Sequence, residues 1–270
     1  MTPLERNHVT VAGDPGGRPI VFIHGIGSDQ RAWAGVAGEL ADRHRTVLLD
    51  NVGAGQSDPA AFVKHRYLNL EAYAEDVAQV MAALELRDVL IVGHSIGGMI
   101  GAITARHVPD RAAALALVAT SPRYLTEEGY PGGLRREDID EIYRAATSDF
   151  GDWAQQFAEA TTGQPADSAS GRRFLAALNA VPRERLLTVL CSTLQTDHRR
   201  EVERIAVPTL ILQPSEDPFV PLAVAEYLHD RIAGSRLEVL VSRGHLPHVD
   251  NAPGVAQAIR RFEQGLSPRR

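Results

Sequence analysis

One serine is set up to act as a nucleophile. Gly93-His94-Ser95-Ile96-Gly97, followed by Gly98, places Ser95 at the centre of a G-x-S-x-G pentapeptide. That pentapeptide occurs by chance, so its setting decides its meaning. It directly follows the apolar run Val89–Val92 and directly precedes a helical pattern. A serine on so tight a strand-to-helix turn is held clear of its own backbone, and flanking glycines leave room for the chain to pass. The first N–H groups of the following helix point toward it. The competing reading is a Gly/Ser turn that merely joins strand to helix; it weakens because partners for the serine follow downstream.

A serine hydroxyl is a poor nucleophile at neutral pH and needs a base, which in turn needs an acid to orient it. For a serine on such an elbow the chain order is Ser, then Asp or Glu, then His. Both later slots are filled. The apolar run Thr209–Gln213 leads into Pro214-Ser215-Glu216-Asp217-Pro218, where Asp217 is the expected acid and Glu216 its solvated competitor. A further run ends at Ser242-Arg243-Gly244-His245. Gly244 lets this loop turn, and His245 is the expected base. His248 is the rival, read as structural or pocket-lining. His245-x-x-His248-x-Asp250 also admits a metal reading, but no further ligand cluster accompanies it. We therefore expect no metal and no cofactor.

Acyl transfer develops negative charge on a carbonyl oxygen, which preorganised N–H groups stabilise. Ile96, next after the nucleophile, supplies one expected donor. Ile26, in the loop His24-Gly25-Ile26-Gly27-Ser28, supplies the other. His24 reads as a brace for that loop rather than a catalytic group. The Gly-rich stretch from Asp50 to Asp58 invites a nucleotide-loop reading, but it lacks the third glycine and helix start, so a structural turn is favoured.

These residues need elements to position them. Strands are expected at His8–Val11, Ile20–His24, Thr46–Asp50, Val89–Val92 and Ala114–Val118, alternating with helices at Gln30–Leu40, Leu70–Leu84 and Ile96–His107. Continuously apolar runs such as Val-Leu-Ile-Val mark strands covered on both faces. Their alternation with helices implies crossovers and a mostly parallel sheet. From Tyr124 to Ile205 the rhythm changes. Four helical segments, near Arg136–Ala146, Asp149–Thr161, Gly171–Ala180 and Arg183–Gln195, are punctuated by Gly, Pro, Asp and Ser. The series then resumes with strand Thr209–Gln213, helix Leu222–Ile232, strand Leu237–Val241 and helix Gly254–Gln264. The expectation is a core of residues 1–122 and 206–270, with residues 123–205 inserted as a helical cap.

The 270 residues are 44% hydrophobic, enough for one large core. A net charge of −6 with no strongly basic block argues against nucleic acid as a partner. The small basic clusters Arg199-Arg200 and Arg269-Arg270 read as solvated faces. The lone Cys191 excludes an intrachain disulfide and suits a reducing compartment. It lies in an apolar helical stretch and reads as a packed or pocket-wall thiol. Met1–Thr10 shows no apolar signal segment. The apolar stretch Val89–Ala105 is interrupted by His94, Ser95 and glycines, unlike a membrane span. A soluble, cytoplasmic protein with no membrane contact is expected.

Taken together, the motifs resemble those of α/β-hydrolases: His-Gly-Ile-Gly-Ser-Asp-Gln (24–30), Asp-x-Val-Gly-x-Gly-x-Ser-Asp (50–58), Gly-His-Ser-Ile-Gly-Gly (93–98) and Gly-His-Leu-Pro-His (244–248). More narrowly they resemble the RsbQ-type bacterial stress-response regulators, to which plant strigolactone and karrikin receptors are related. Ser121-Pro122-Arg123-Tyr124-Leu125, Gly151-Asp152-Trp153-Ala154 and Ser-Glu-Asp-Pro-Phe-Val-Pro (215–221) sharpen the match. The resemblance implies an α/β-hydrolase fold, with a triad of Ser95, Asp217 and His245 beneath a four-helix, V-shaped lid. It implies an apolar pocket lined by Ile26, Ile96, Trp153, Phe157, Leu194 and Phe219. Helical spacing alone leaves Trp153 and Phe157 open to a cap-core reading. Where relatives often carry an aromatic, this chain has Leu194-Gln195 before Thr196-Asp197, which implies a wider or more polar pocket. The expected function is hydrolysis of a small apolar ester or lactone. The alternative is a ligand sensor of the same family whose cap recruits a regulatory protein. Carbon–carbon bond hydrolysis and perhydrolysis use the same triad, whereas relatives with haloalkane or epoxide chemistry carry Asp where Ser95 stands.

Overall fold

Unbroken runs of Val, Ile, Leu and Ala become the central strands, because such runs are stable only where both faces are covered. The computed structural model describes residues 1–266; the Arg269-Arg270 pair lies outside them. Seven strands are present among the described residues: β1 (Thr10–Gly13), β2 (Arg18–Ile23), β3 (His44–Leu49), β4 (Val89–His94), β5 (Ala112–Val118), β6 (Thr209–Glu216) and β7 (Arg236–Arg243). They form one sheet in the order β1-β3-β2-β4-β5-β6-β7. β1 runs antiparallel to β3, and every other pairing is parallel. This is the α/β-hydrolase fold.

The principal helices are α1 (Ala34–Leu40), α2 (Glu71–Ala83), α3 (Ile96–His107), α4 (Arg136–Ser148), α5 (Phe150–Thr162), α6 (Ala169–Ala180), α7 (Arg183–Leu194), α8 (Leu222–Arg231) and α9 (Ala252–Glu263). Alternate strand residues serve opposite faces. Val21, Ile23, Ile91 and Leu115 pack with α2, α3 and α8. Ile20, Phe22, Leu90 and Ala114 pack with α1 and α9. Each fully buried Val, Leu or Ile contributes about 1.5–3 kcal/mol, so burial on the two faces fixes the sheet between its helices.

Two expected elements differ. The stretch Gln30–Leu40 is a 3-10 turn, Gln30–Trp33, followed by α1. The Asp29 side chain accepts the Arg31 N–H at 2.9 Å and starts that tight turn. The first strand begins at Thr10 rather than His8, because His8 has φ 43 and cannot extend.

Helices α4 to α7 follow one another between β5 and β6. Asp149 separates α4 from α5, its side chain accepting the Asp152 N–H at 3.1 Å. Gly163, at φ 65, closes α5 in the left-handed conformation. Ser168 caps α6, and Pro182 precedes α7. These helices build a third core that also contains Val220 and Leu246, from the loops after β6 and β7. The block therefore sits over the carboxyl ends of those strands. Among the described residues no helix is long and apolar enough to cross a membrane.

Candidate active site

Ser95 lies between β4 and α3 with φ 56 and ψ −125, a conformation that costs a non-glycine residue about 1–3 kcal/mol. Its neighbours hold it there. The Ser95 N–H donates to the Val118 carbonyl at 2.9 Å, and its own carbonyl accepts the Gly98 N–H at 3.0 Å. A Cβ at Gly93 would meet the Gly97 carbonyl oxygen at 2.2 Å, so the elbow needs glycine there. The side-chain Oγ is 3.0 Å from the Tyr124 hydroxyl. Tyr124 has no part in the sequence-level triad. What could have flagged it is its place just beyond β5, because ligands in such sheets gather at the carboxyl ends of strands.

The loop after β2 comes against the nucleophile. A Cβ at Gly25 would sit 3.1 Å from the Ser95 Cβ. His24 braces this loop. Its Nδ1 is 2.8 Å from the Gly25 carbonyl oxygen, and its Nε2 accepts the Asn51 N–H at 2.9 Å. The Asp50 carboxylate accepts the N–H groups of Gln30 and Gln56, each at 2.8 Å. The Gly53 N–H donates to Ser57 Oγ at 3.0 Å. The Gly-rich stretch thus spends its polar groups on its own turn and on the adjacent loop.

Asp217 and His245 meet as a pair. His245 Nδ1 donates to Asp217 Oδ2 at 2.8 Å, with side chains 6% and 0% exposed. The other carboxylate oxygen accepts the N–H groups of Phe219 at 2.9 Å and Val220 at 3.1 Å. This full set of partners lets a charge be buried. Glu216, the competitor, is exposed, 3.9 Å from Arg243. With its proton held on Nδ1, the His245 ring keeps Nε2 as its accepting nitrogen. The His245 N–H donates to the Thr161 carbonyl in the last turn of α5 at 2.7 Å, and Gly244 has φ 93. The His245 carbonyl accepts His94 Nε2–H at 2.7 Å.

Behind this pair lies a column of rings. His248 sits 4.2 Å from Trp33 and 4.4 Å from His94, and His94 sits 4.7 Å from His245, centroid to centroid. Burial, reinforced by the neighbouring histidines, pushes His248 down to about 3. The same burial holds His94 well below the usual histidine range. His248 is fully buried and its ring nitrogens have no partner among the described residues. It faces neither Ser95 nor Asp217 in any hydrogen bond. Asp250, the third member of the metal reading, accepts the Ser170 hydroxyl at 3.2 Å instead.

Ser95, Tyr124 and His245 open onto one small cavity of about 40 Å³. Its remaining wall is apolar apart from Thr193: Ile26, Phe157, Leu194 and Phe219, with Leu134, Ile142 and Leu190 beyond. Trp153 corrects the expected lining. It stands one layer back, its ring stacked on Phe157 at 5.1 Å and buried in the core of the inserted helices. The i, i+4 spacing puts both rings on one side of α5, and Phe157 takes the position nearer the cavity. The Ile96 side chain also lies off this wall and borders a separate void. A broader groove along Glu159, Gln164, Glu216 and Arg243 runs outside Asp217 and includes neither Ser95 nor His245.

A sheet of this order, a serine on a strained elbow and a buried His–Asp pair at the same strand ends define a class. Residues 18–252 match the α/β-hydrolase fold family, and the chain belongs to it. It is 35% identical to the Karrikin insensitive 2 receptor CA of Petunia hybrida over 258 residues, 95% of each chain. It is 33% identical to the strigolactone esterase D14 of Arabidopsis thaliana over 96% of each. A solved hydrolase from Oleispira antarctica superposes with a TM-score of 0.92 at 30% identity, covering 97% of this chain and 96% of that one.

Proposed function

We propose that the protein hydrolyses a small apolar ester or lactone through an acyl-enzyme on Ser95. The observation that carries this is the 2.8 Å His245–Asp217 bond, buried and opening onto the same apolar cavity as Ser95. Ser95 Oγ attacks the carbonyl carbon while His245 Nε2 takes its proton. Asp217 fixes the imidazole tautomer and stabilises the imidazolium that forms. The N–H groups of Ile26 and Ile96 receive the oxyanion; each such donor is worth about 2.7–4 kcal/mol in the transition state. Collapse breaks the carbonyl–oxygen bond, and His245 returns the proton to the departing alcohol. Water then attacks the acyl group with His245 as base, releasing the acid and free Ser95. Residues 123–205 act as the lid that keeps this chemistry dry.

The test is turnover of p-nitrophenyl acetate followed by intact-mass spectrometry. Wild type should turn over repeatedly and show a transient acyl adduct. Ser95→Ala should lose about 10⁶-fold in kcat; unchanged turnover would sink the assignment. The relatives supply a second reading, since the Petunia protein is named as a receptor. On that reading one equivalent of ligand is cleaved slowly, the adduct persists, and a protein partner is captured only with ligand present.

A further inference from the structure

The main chain of the base is held from two sides. The His245 carbonyl accepts His94 Nε2–H at 2.7 Å, a bond to the end of β4. The His245 N–H donates to the Thr161 carbonyl at 2.7 Å, a bond to the last turn of α5. Two glycines let these segments lie backbone against backbone. A Cβ at Gly244 would sit 2.7 Å from the Thr162 carbonyl carbon and 2.8 Å from the Gly163 nitrogen. A Cβ at Gly163 would sit 3.0 Å from the Arg243 carbonyl oxygen and 3.1 Å from the Gly244 nitrogen. The α5 side of this seam is stiff. The Gly163 N–H donates to the Glu159 carbonyl at 2.8 Å. Thr162 is fully buried; its Oγ1 donates to the Ala158 carbonyl at 2.8 Å and accepts the Gln164 N–H at 3.3 Å.

A left-handed helix end accounts for glycine at 163, where φ is 65, but not for the contact across the seam. Gly129 separates the two effects. It has φ 74, and a Cβ there would meet nothing within 4 Å. We propose that Gly163 is a positioning residue for the reaction. Lacking a side chain, it lets the last turn of α5 seat against the Gly244–His245 peptide. The Thr161 carbonyl then fixes the main chain that carries the imidazole, and so sets the ring against Asp217 and onto the Ser95 cavity. The base is in register only while α5 is seated. The catalytic part of this rests on the hydrolase reading above.

The test compares Gly163→Ala and Gly163→Ser with Gly129→Ala in the full chain. All three place an ordinary residue in the left-handed region, but only the first two press on the seam. A Cβ at 163 must move the neighbouring backbone by a few tenths of an ångström. Because a 1 Å misplacement can cost about 100-fold, kcat for p-nitrophenyl acetate should fall by about threefold to tenfold, with KM within about twofold. Gly129→Ala should match wild type in both. The second readout is the His245 Nδ1–H resonance in ¹⁵N-histidine-labelled protein. It should shift in both Gly163 variants and stay in place in Gly129→Ala. An unmoved resonance in the Gly163 variants overturns the proposal, whatever kcat does. If the wild type cleaves no ester, the hydrolase reading fails alone, and the resonance still decides whether α5 seats the ring. If the Gly163 variants do not fold, hydrogen exchange on the wild type decides instead. The His245 amide should be protected and should open together with the Gly163 amide; a His245 amide that exchanges freely overturns the seat.

Discussion

At the scale of single residues, Tyr124 is the group that most changes how Ser95 is understood. It is buried beside the nucleophile, and burial pushes its phenol up, so it stays protonated and able to donate. Its 3.0 Å bond to Oγ fixes one rotamer of a side chain whose direction decides whether attack is possible. A neutral hydrogen bond of this kind is worth about 1 kcal/mol. Tyr124→Phe should therefore lower kcat/KM for p-nitrophenyl acetate by about fivefold, with a thermal midpoint near wild type; an unchanged kcat/KM would remove Tyr124 from the site. Ser95, Asp217 and His245 were picked out by chain order and strand ends; the structure pairs His245 with Asp217 and sets Ser95 and His245 on one cavity. Tyr124 was not, since a tyrosine in a loop carries no spacing rule. Trp153 shows the opposite error: its type suited a pocket, but only packing could show that Phe157 stands in front of it.

At the scale of elements, the strand-to-helix joint at Ser95 was legible because an apolar run, three glycines and a helical pattern agree. The loop after β7 was only half legible. Gly244 and His245 announced a turn, but not that His248 would fold back beneath it against Trp33. That burial makes the loop acid-sensitive. His248 titrates near its ordinary 6.5 when unfolded and at about 3 when folded, so below pH 6.5 the unfolded chain binds the extra proton. The stability His248 contributes is present above pH 6.5 and is lost as pH falls toward 3. His94 acts with the same sign. The groups around His248 are the rings of Trp33 and His94, with His245 and His24 nearby. The midpoint of thermal unfolding should drop between pH 6.5 and 4, and His248→Phe, which keeps a ring in the stack, should flatten that drop. Parallel pH curves for the two proteins would contradict this.

At the scale of the whole molecule, alternating strands and helices predicted the sheet and its parallel sense, and the break in rhythm after β5 predicted the run of four helices that lies between β5 and β6. What sequence could not supply was how that run meets the rest. The contact is specific: the α5 carbonyl of Thr161 holds the His245 N–H, and Leu246 and Val220 complete the core of the inserted helices. The bond from His94 to the His245 carbonyl joins residues 151 positions apart. Chain segments that distant close late in folding, because loop-closure entropy must be overcome before the contact rewards it. The elbow itself is local and can form with β4 and α3. Helical signal should therefore return first when the denatured chain is diluted into buffer, and cleavage of p-nitrophenyl acetate should return after a measurable lag. Stopped-flow circular dichroism beside interrupted-refolding activity would show it, and superimposable time courses would refute it. The serine is in place early but idle, and the ability to break an ester becomes a clock for the last stage of self-assembly.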